Sequence, residues 1–263
     1  MERLDVEGLT IAYERAGRGP AVVLVHGYVG DGTSAWRPQI EAFSGDHTVV
    51  AWDAPGAGGS SDPPEGFGID GYAEALARFI DALAIGPATI VGLSFGGALA
   101  LALQRRGRSP TSSLVLASAY AGWRGSLAPE VAEARLAQAI DLSGASPQDF
   151  VDTLLPTMFS TPVAPEDLRA YRSAMERFHP VGFRAMARAS AEDVSDVPPK
   201  VAVPTLLIYG DRDERAPMSV AEQLHASIRG ARLAVLHGAG HVCNLEMPDR
   251  FNEEVGAFLR QVA

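Results

Sequence analysis

The sequence predicts an α/β fold: a mostly parallel, eight-stranded sheet flanked by helices, with a helical segment inserted late in the chain. Three observations carry this. Apolar runs such as Ala21-Val22-Val23-Leu24-Val25 are continuous, which suits strands covered on both faces. Helical stretches alternate with these runs, the pattern of right-handed crossovers in a parallel sheet. From about Tyr120 to Pro199 the alternation lapses, and no strand pattern appears until Val203.

Taken in order, Leu4 to Gly8 and Thr10 to Ala16 read as two alternating strands, the second ended by Gly17-Arg18-Gly19-Pro20. Ala21 to Val25 is the third strand and runs into a glycine-rich loop, His26-Gly27-Tyr28-Val29-Gly30-Asp31-Gly32. Ser34 to Phe43 is a short helix, with Ser34 as N-cap and Pro38 in the first turn. His47 to Trp52 is a buried strand leading into a second glycine-rich loop, Asp53 to Ser60. Asp70 to Ala84 places Tyr72, Leu76, Phe79, Ile80 and Leu83 at helical spacing. Pro87 to Val91 is a strand, a small-residue helix follows as far as about Arg106, and Ser112 to Ala117 is the next strand.

Helices are then expected at Ala128–Leu142, Pro147–Leu155, Pro165–Phe178 and Gly182–Ala191, punctuated by prolines. Strands return at Val203–Tyr209 and Arg232–Leu236, with a helix at Ser219–Ile228 between them and a last one at Pro248–Gln261. The division that follows is a core of residues 1–119 and 200–263 and a mostly helical cap of residues 120–199.

The 263 residues are 47% hydrophobic and 21% charged, an ordinary globular composition long enough for a sizeable core. A net charge of −10 with no basic run argues against a nucleic-acid partner. No apolar run reaches membrane-spanning length, and Met1-Glu2-Arg3-Leu4-Asp5 has no apolar signal region. A cytoplasmic protein, monomeric or homodimeric and without a membrane partner, is the expectation. Cys243 stands alone, so no intrachain disulfide forms. The dispersed histidines offer no metal-ligand spacing, and no metal or organic cofactor is expected.

Gly92-Leu93-Ser94-Phe95-Gly96 sits between a strand and a helix. This is the context of a nucleophile elbow. A sharp strand-to-helix turn forces its central residue into strained φ/ψ, and side chains at the flanking glycines would collide with strand and helix. Such a turn exposes the Ser94 hydroxyl and aims the Phe95 N–H, at a helix N-terminus, toward developing negative charge. A serine needs a base to take its proton, and the base needs an acid to fix its tautomer. Two loops after later strands supply them: Gly210-Asp211-Arg212-Asp213-Glu214-Arg215-Ala216-Pro217 and Gly238-Ala239-Gly240-His241. Asp211 and Asp213 compete as the acid. His241, behind two glycines, is favoured as the base over His237 at a strand end. His26 reads as support for its own loop, and His47, His179 and His225 have no evident partners. Asp53 to Ser60 lacks the lysine and spacing of a P-loop. It reads as a loop bordering the site, with Ser60 and Ser61 capping its turn.

His26-Gly27, the Asp53–Ser60 loop, Gly92–Gly96, Gly210–Asp213 with Pro217, and Gly240-His241 occur in one order. Together they resemble the α/β-hydrolase superfamily, specifically its capped carboxylesterases, 3-oxoadipate enol-lactonases and C–C hydrolases. The resemblance covers nearly the whole chain apart from residues 120–199. It implies an α/β-hydrolase fold and a triad of Ser94, Asp213 and His241, because the family pattern of G-x-x-D with a following proline selects Asp213. It also implies an oxyanion hole of the Tyr28 and Phe95 N–H groups. Tyr28, Val29, Trp123, Met158, Phe159 and Val242 are the expected substrate-binding residues. Apolar residues of the insertion, including Leu127, Leu154, Leu155, Met175, Phe178 and Met186, are expected to shape a pocket.

The function implied is a serine hydrolase of small carboxylic esters or lactones. An enol-lactone or C–C bond hydrolase is the alternative within the fold. Both would bind carboxylates, for which Arg124, Arg135, Arg169, Arg172, Arg177, Arg184 and Arg188 are candidates. A low-turnover receptor or signalling protein with a retained triad is the alternative outside enzymology.

Overall fold

The computed structural model describes residues 1–105 and 109–262. The expected helix end at Arg106 and the last core residue, Ala263, lie outside the described residues. Eight strands form one sheet: β1 (Glu2–Val6), β2 (Leu9–Ala16), β3 (Ala21–Val25), β4 (Thr48–Trp52), β5 (Ala88–Leu93), β6 (Thr111–Ala117), β7 (Thr205–Gly210) and β8 (Arg232–Leu236). Their spatial order is β1-β2-β4-β3-β5-β6-β7-β8. Only β1–β2 and β2–β4 pair antiparallel; the five remaining pairs are parallel. Every residue of β3, β4, β5 and β7 is buried, because helices cover both faces of the sheet centre.

The core helices are α1 (Gly32–Phe43), α2 (Gly68–Ala82) and α3 (Phe95–Leu103). The α1 helix starts two residues before the expected position, and its N-cap is Asp31 rather than Ser34. Asp31 Oδ1 accepts from the Ser34 N–H at 2.8 Å, and Ser34 Oγ accepts from the Asp31 N–H at 3.2 Å. This reciprocal box satisfies two otherwise orphaned donors. Ser60 and Ser61 do not cap their turn either. Ser60 Oγ accepts from the Ala12 N–H and donates to Asp53 O, and Ser61 Oγ accepts from the Thr10 N–H, so both fasten the loop to β2.

Between β6 and β7 lie only helical elements among the described residues: α4 (Trp123–Ser126), α5 (Pro129–Leu142), α6 (Pro147–Leu154), α7 (Pro165–Glu176), α8 (Pro180–Ala191) and two short 3₁₀ turns. Their starts carry proline at the first position of α5, α6, α7 and α8, where no intrahelical N–H is needed. The α6 and α8 helices meet through Phe150, which stacks on Phe178 at 3.9 Å and sets its edge against Phe183 at 4.8 Å. Arg37 of α1 reaches across to α7, where its Nε and Nη2 hold the buried Asp167 Oδ1 at 2.8 and 2.6 Å. The chain ends with α9 (Met218–Ser227), the short α10 (Cys243–Glu246) and α11 (Pro248–Val262). No helix among the described residues is long and apolar enough to cross a membrane.

The parallel strands deliver the loops after β3, β5, β7 and β8 to one edge of the sheet. Ser94, Asp213 and His241 all lie in these loops.

Candidate active site

Ser94 occupies the turn between β5 and α3 with φ 53° and ψ −110°, a region that L residues rarely adopt. Such a conformation costs about 1–3 kcal/mol and persists only where the surroundings enforce it. The surroundings here are mostly backbone. A Cβ on Gly92 would stand 2.3 Å from Gly96 O, and one on Gly96 would stand 2.2 Å from Val25 O. One on Gly97 would meet Ala119 Cβ at 2.4 Å. Strand and helix therefore close on each other only because these three residues have no side chain. As the first residue of α3, Phe95 has no carbonyl behind it in the helix, so its N–H is free of the helical ladder.

His241 Nε2 lies 2.9 Å from Ser94 Oγ, and His241 Nδ1 lies 2.8 Å from Asp213 Oδ2. All three residues are about 95% buried. Asp213 Oδ1 accepts the Arg215 and Ala216 N–H groups, each at 2.8 Å. Burial alone would raise the Asp213 carboxyl. The His241 imidazole beside it and the donated N–H groups reverse that and hold it below the usual carboxylate range. Asp211 turns the other way: Oδ1 accepts the Gly238 N–H at 2.6 Å and Oδ2 meets His237 Nδ1 at 2.9 Å.

His26 bridges the two glycine-rich loops. Its Nε2 accepts the Ala54 N–H at 3.0 Å, and its Nδ1 donates to Gly27 O at 2.5 Å. Burial pushes its pKa down, which favours the neutral ring that these two bonds require. Asp53 gathers the same loops by accepting the Gly32 and Gly59 N–H groups at 2.8 and 2.9 Å. The His26–Tyr28 backbone thereby runs beside the elbow, with a Cβ position on Gly27 only 3.8 Å from Ser94 Cβ.

Of the expected substrate-binding residues, Tyr28, Val29, Trp123, Met158 and Val242 are buried, and Phe159 is half-buried. Tyr28 stacks on Phe183 at 5.3 Å and sets its edge against Trp123 at 5.6 Å. Met158 O accepts the Val242 N–H at 3.0 Å, beside His241. Phe159 packs on Tyr171. Leu154, Met175 and Met186 are fully buried, while Leu127, Leu155 and Phe178 pack partly exposed against the same core. His179 has a partner after all, Asp62 Oδ1 at 3.1 Å, and His225 Nε2 meets Ala231 O at 3.0 Å.

Three residues near the site escaped the sequence reading. Glu246 is buried and holds the His241 loop: Oε1 accepts the Gly240 N–H, and Oε2 accepts the Ser160 and Thr161 N–H groups and the Thr161 hydroxyl. The available signal was an acidic residue inside the apolar stretch Val242 to Met247. Tyr120 donates to Arg215 O and receives Arg135 Nη1 at 2.8 Å. Arg215 itself donates to Tyr28 Oη at 2.6 Å and to Thr157 Oγ1 at 2.9 Å. Arg124 and Arg172 instead pair with carboxylates at the surface. Among the described residues, no group of three or more His, Cys, Asp or Glu side chains is arranged to hold a metal ion.

Residues 22–254 match the sequence profile of the alpha/beta hydrolase family. A thermophilic esterase from Thermogutta terrifontis, solved with malate bound, superposes with a TM-score of 0.89 at 28% identity, covering 100% of this chain and 99% of that one. The enol-lactonase from Burkholderia xenovorans LB400 superposes with a TM-score of 0.88 at 27% identity, over 98% of this chain and 100% of that one. Pyrrolizixenacetamide deacetylase of Xenorhabdus hominickii is 27% identical over 98% of each chain.

Proposed function

The chain belongs to the alpha/beta hydrolase family, and on that premise we propose that it is a serine hydrolase of small carboxylic esters or lactones. The observation that carries the proposal is the unbroken line Asp213–His241–Ser94, with links of 2.8 and 2.9 Å at a strained serine. Ser94 Oγ attacks the substrate carbonyl while His241 Nε2 takes its proton. Asp213 holds the opposite ring nitrogen and stabilises the imidazolium that forms. The Phe95 and Tyr28 N–H groups receive the oxyanion. Collapse expels the alcohol with the proton from His241 and leaves an acyl-serine. A water molecule, deprotonated by His241, then releases the acid and restores the Ser94 hydroxyl. In a lactone the alcohol and acid leave as one molecule.

Residues 120–199 act in this reading as a cap over the core of residues 1–119 and 200–263. Tyr28, Val29, Trp123, Met158, Phe159 and Val242 contact the substrate. The similarity to an esterase, an enol-lactonase and a deacetylase supports acyl transfer to water as the shared chemistry. We read the working form as a cytoplasmic monomer or homodimer that needs no cofactor.

The test combines a fluorophosphonate probe with p-nitrophenyl acetate hydrolysis, after EDTA treatment and desalting. The wild type should be labelled and turn over many times, and Ser94→Ala should lose both. The triad acts as a unit, so kcat should fall on the order of 10⁴- to 10⁶-fold. Labelling without multiple turnovers would favour a receptor. Inert esters with a rapidly opened enol-lactone or cleaved diketone acid would favour the alternative hydrolase.

A further inference from the structure

Arg135, on α5, reaches the loop that carries Asp213. Its guanidinium fork spans two acceptors: Nη1 donates to Tyr120 Oη at 2.8 Å, and Nη2 donates to Arg215 O at 3.1 Å. Tyr120 Oη donates in turn to the same Arg215 O. The three groups close a ring of hydrogen bonds. Arg135 also lies 5.6 Å from the centres of both the Tyr120 and Trp123 rings, which hold the guanidinium in place.

The carbonyl in this ring is half of a peptide unit whose N–H belongs to Ala216. That N–H donates to Asp213 Oδ1 at 2.8 Å. A peptide unit is planar and trans, so its C=O and N–H point in opposite directions and turn together. Fixing Arg215 O therefore fixes the direction of the Ala216 N–H. The Arg215 N–H reaches the same Oδ1 at 2.8 Å, which leaves Oδ2 to meet His241 Nδ1 at 2.8 Å. Two donors on one oxygen oppose rotation of the carboxylate, and such rotation would break the His241 bond. Donors on the carbonyl also polarise the peptide and strengthen its N–H. Tyr120 and Ala216 are buried, so little water competes for these bonds.

Resting on the serine-hydrolase reading above, we infer that Arg135 and Tyr120 are positioning residues for the catalytic acid, acting through the Arg215–Ala216 peptide. The line from them passes through that peptide to Asp213, then His241, then Ser94. It carries orientation and no proton, since the acid stays ionised throughout. It also makes the geometry of the acid depend on the seating of α5. That helix buries only Ala132 and Ala139 outright, two small side chains, so the fork of Arg135 is a principal tie between it and the acid loop.

The experiment measures kcat and KM for p-nitrophenyl acetate in the wild type, Arg135→Gln, Arg135→Lys, Tyr120→Phe and the control Val131→Ala. The far-downfield proton NMR resonance of the His241 Nδ1–H held by Asp213 is recorded for each resting protein. Arg135→Gln should lower kcat about tenfold with KM changed less than twofold, as a small displacement of a reacting group predicts. Arg135→Lys keeps one charged donor and should fall between wild type and Arg135→Gln. Tyr120→Phe removes only the hydroxyl and keeps the ring that packs 6.4 Å from that of His241, and it too should lose about tenfold in kcat. In both Arg135→Gln and Tyr120→Phe the resonance should shift or broaden. Val131, exposed on the same helix, should change neither readout when replaced by alanine. A kcat within twofold of wild type in both Arg135→Gln and Tyr120→Phe overturns the inference, as does a loss confined to KM. Lowered stability in urea with kcat and the resonance intact also overturns it, leaving Arg135 as a tie for α5 alone. If the wild type hydrolyses no ester, the serine-hydrolase reading fails on its own and the resonance decides this inference. A signal displaced in both variants upholds it, and an unchanged one overturns it.

Discussion

Asp211 and His237 form a carboxylate–imidazole pair 2.9 Å apart, at the surface, beside the sealed pair of Asp213 and His241. The same two loops supply both. The His237 side chain is 84% exposed, whereas that of His241 is 4% exposed, and only His241 reaches Ser94. Asp213→Asn should therefore lower kcat on an ester about 10⁴-fold, by freeing the wrong tautomer of the base. Asp211→Asn should leave the rate within a few-fold, because it alters a solvent-screened turn. Purified, folded variants assayed side by side check the ranking, and a reversed order would move the acid to Asp211.

The depressed Asp213 carboxyl has a consequence for stability. Its folded pKa lies below that of the unfolded chain, about 3.9 for an ordinary aspartate, so the folded state binds its proton less readily. The stabilisation is complete above that unfolded value and is lost as pH falls through the folded one. Urea titrations between neutral and acid pH should show a steeper acid decline for the wild type than for Asp213→Asn.

Much of the architecture was legible because it depends on local pattern. The unbroken apolar runs of β3, β4 and β5 admit few structures other than buried parallel strands, and the glycines around Ser94 fix the elbow by steric exclusion. Asp213 was singled out over Asp211 through the resemblance, whose pattern places a proline after the acid, here Pro217, and the folded chain sets Asp213 Oδ2 2.8 Å from His241 Nδ1. What stayed hidden depends on side chains that meet only after folding. Nothing near Glu246 in sequence announces that it receives donors from Ser160 and Thr161, some 85 residues away. Arg215 was read merely as a member of the acid loop, since its bond to Tyr28 spans 187 positions. Ser34 was misread as an N-cap because Asp31 satisfies the same role from three residues earlier.

Gly92→Ala tests the elbow. The new Cβ would stand 2.3 Å from a backbone oxygen that cannot swing aside. Overpacking against main chain should cost more than about 3 kcal/mol or prevent folding altogether. Urea unfolding of the variant measures it. Near wild-type stability would mean that the turn can relax.

Cys243 should be inert. Burial pushes its thiol up to about 12, so almost no thiolate exists at pH 8. A disulfide reagent such as Ellman's should fail to modify the native protein and should titrate the thiol after unfolding in guanidinium. Rapid native reaction would show that α10 opens readily.

Glu246→Gln separates holding the base from holding the fold. The Glu246 carboxylate receives the Gly240 N–H on one oxygen and three donors on the other. A glutamine keeps the shape but offers only one oxygen. If that oxygen faces Ser160 and Thr161, the amide N–H₂ is set against the Gly240 N–H. If it turns, three donors lose their acceptor. Leaving buried donors unsatisfied costs about 1–3 kcal/mol. Because Gly240 adjoins His241, the first arrangement displaces the base from Ser94. Misplacing a reacting group by about 1 Å can cost on the order of 10²-fold in rate. The variant should thus lose both stability in urea and kcat, with KM little changed. A loss of stability with kcat intact would assign the His241 loop to the Val242–Met158 backbone bond instead, and would leave Glu246 as a tie between the loop and residues 160–161.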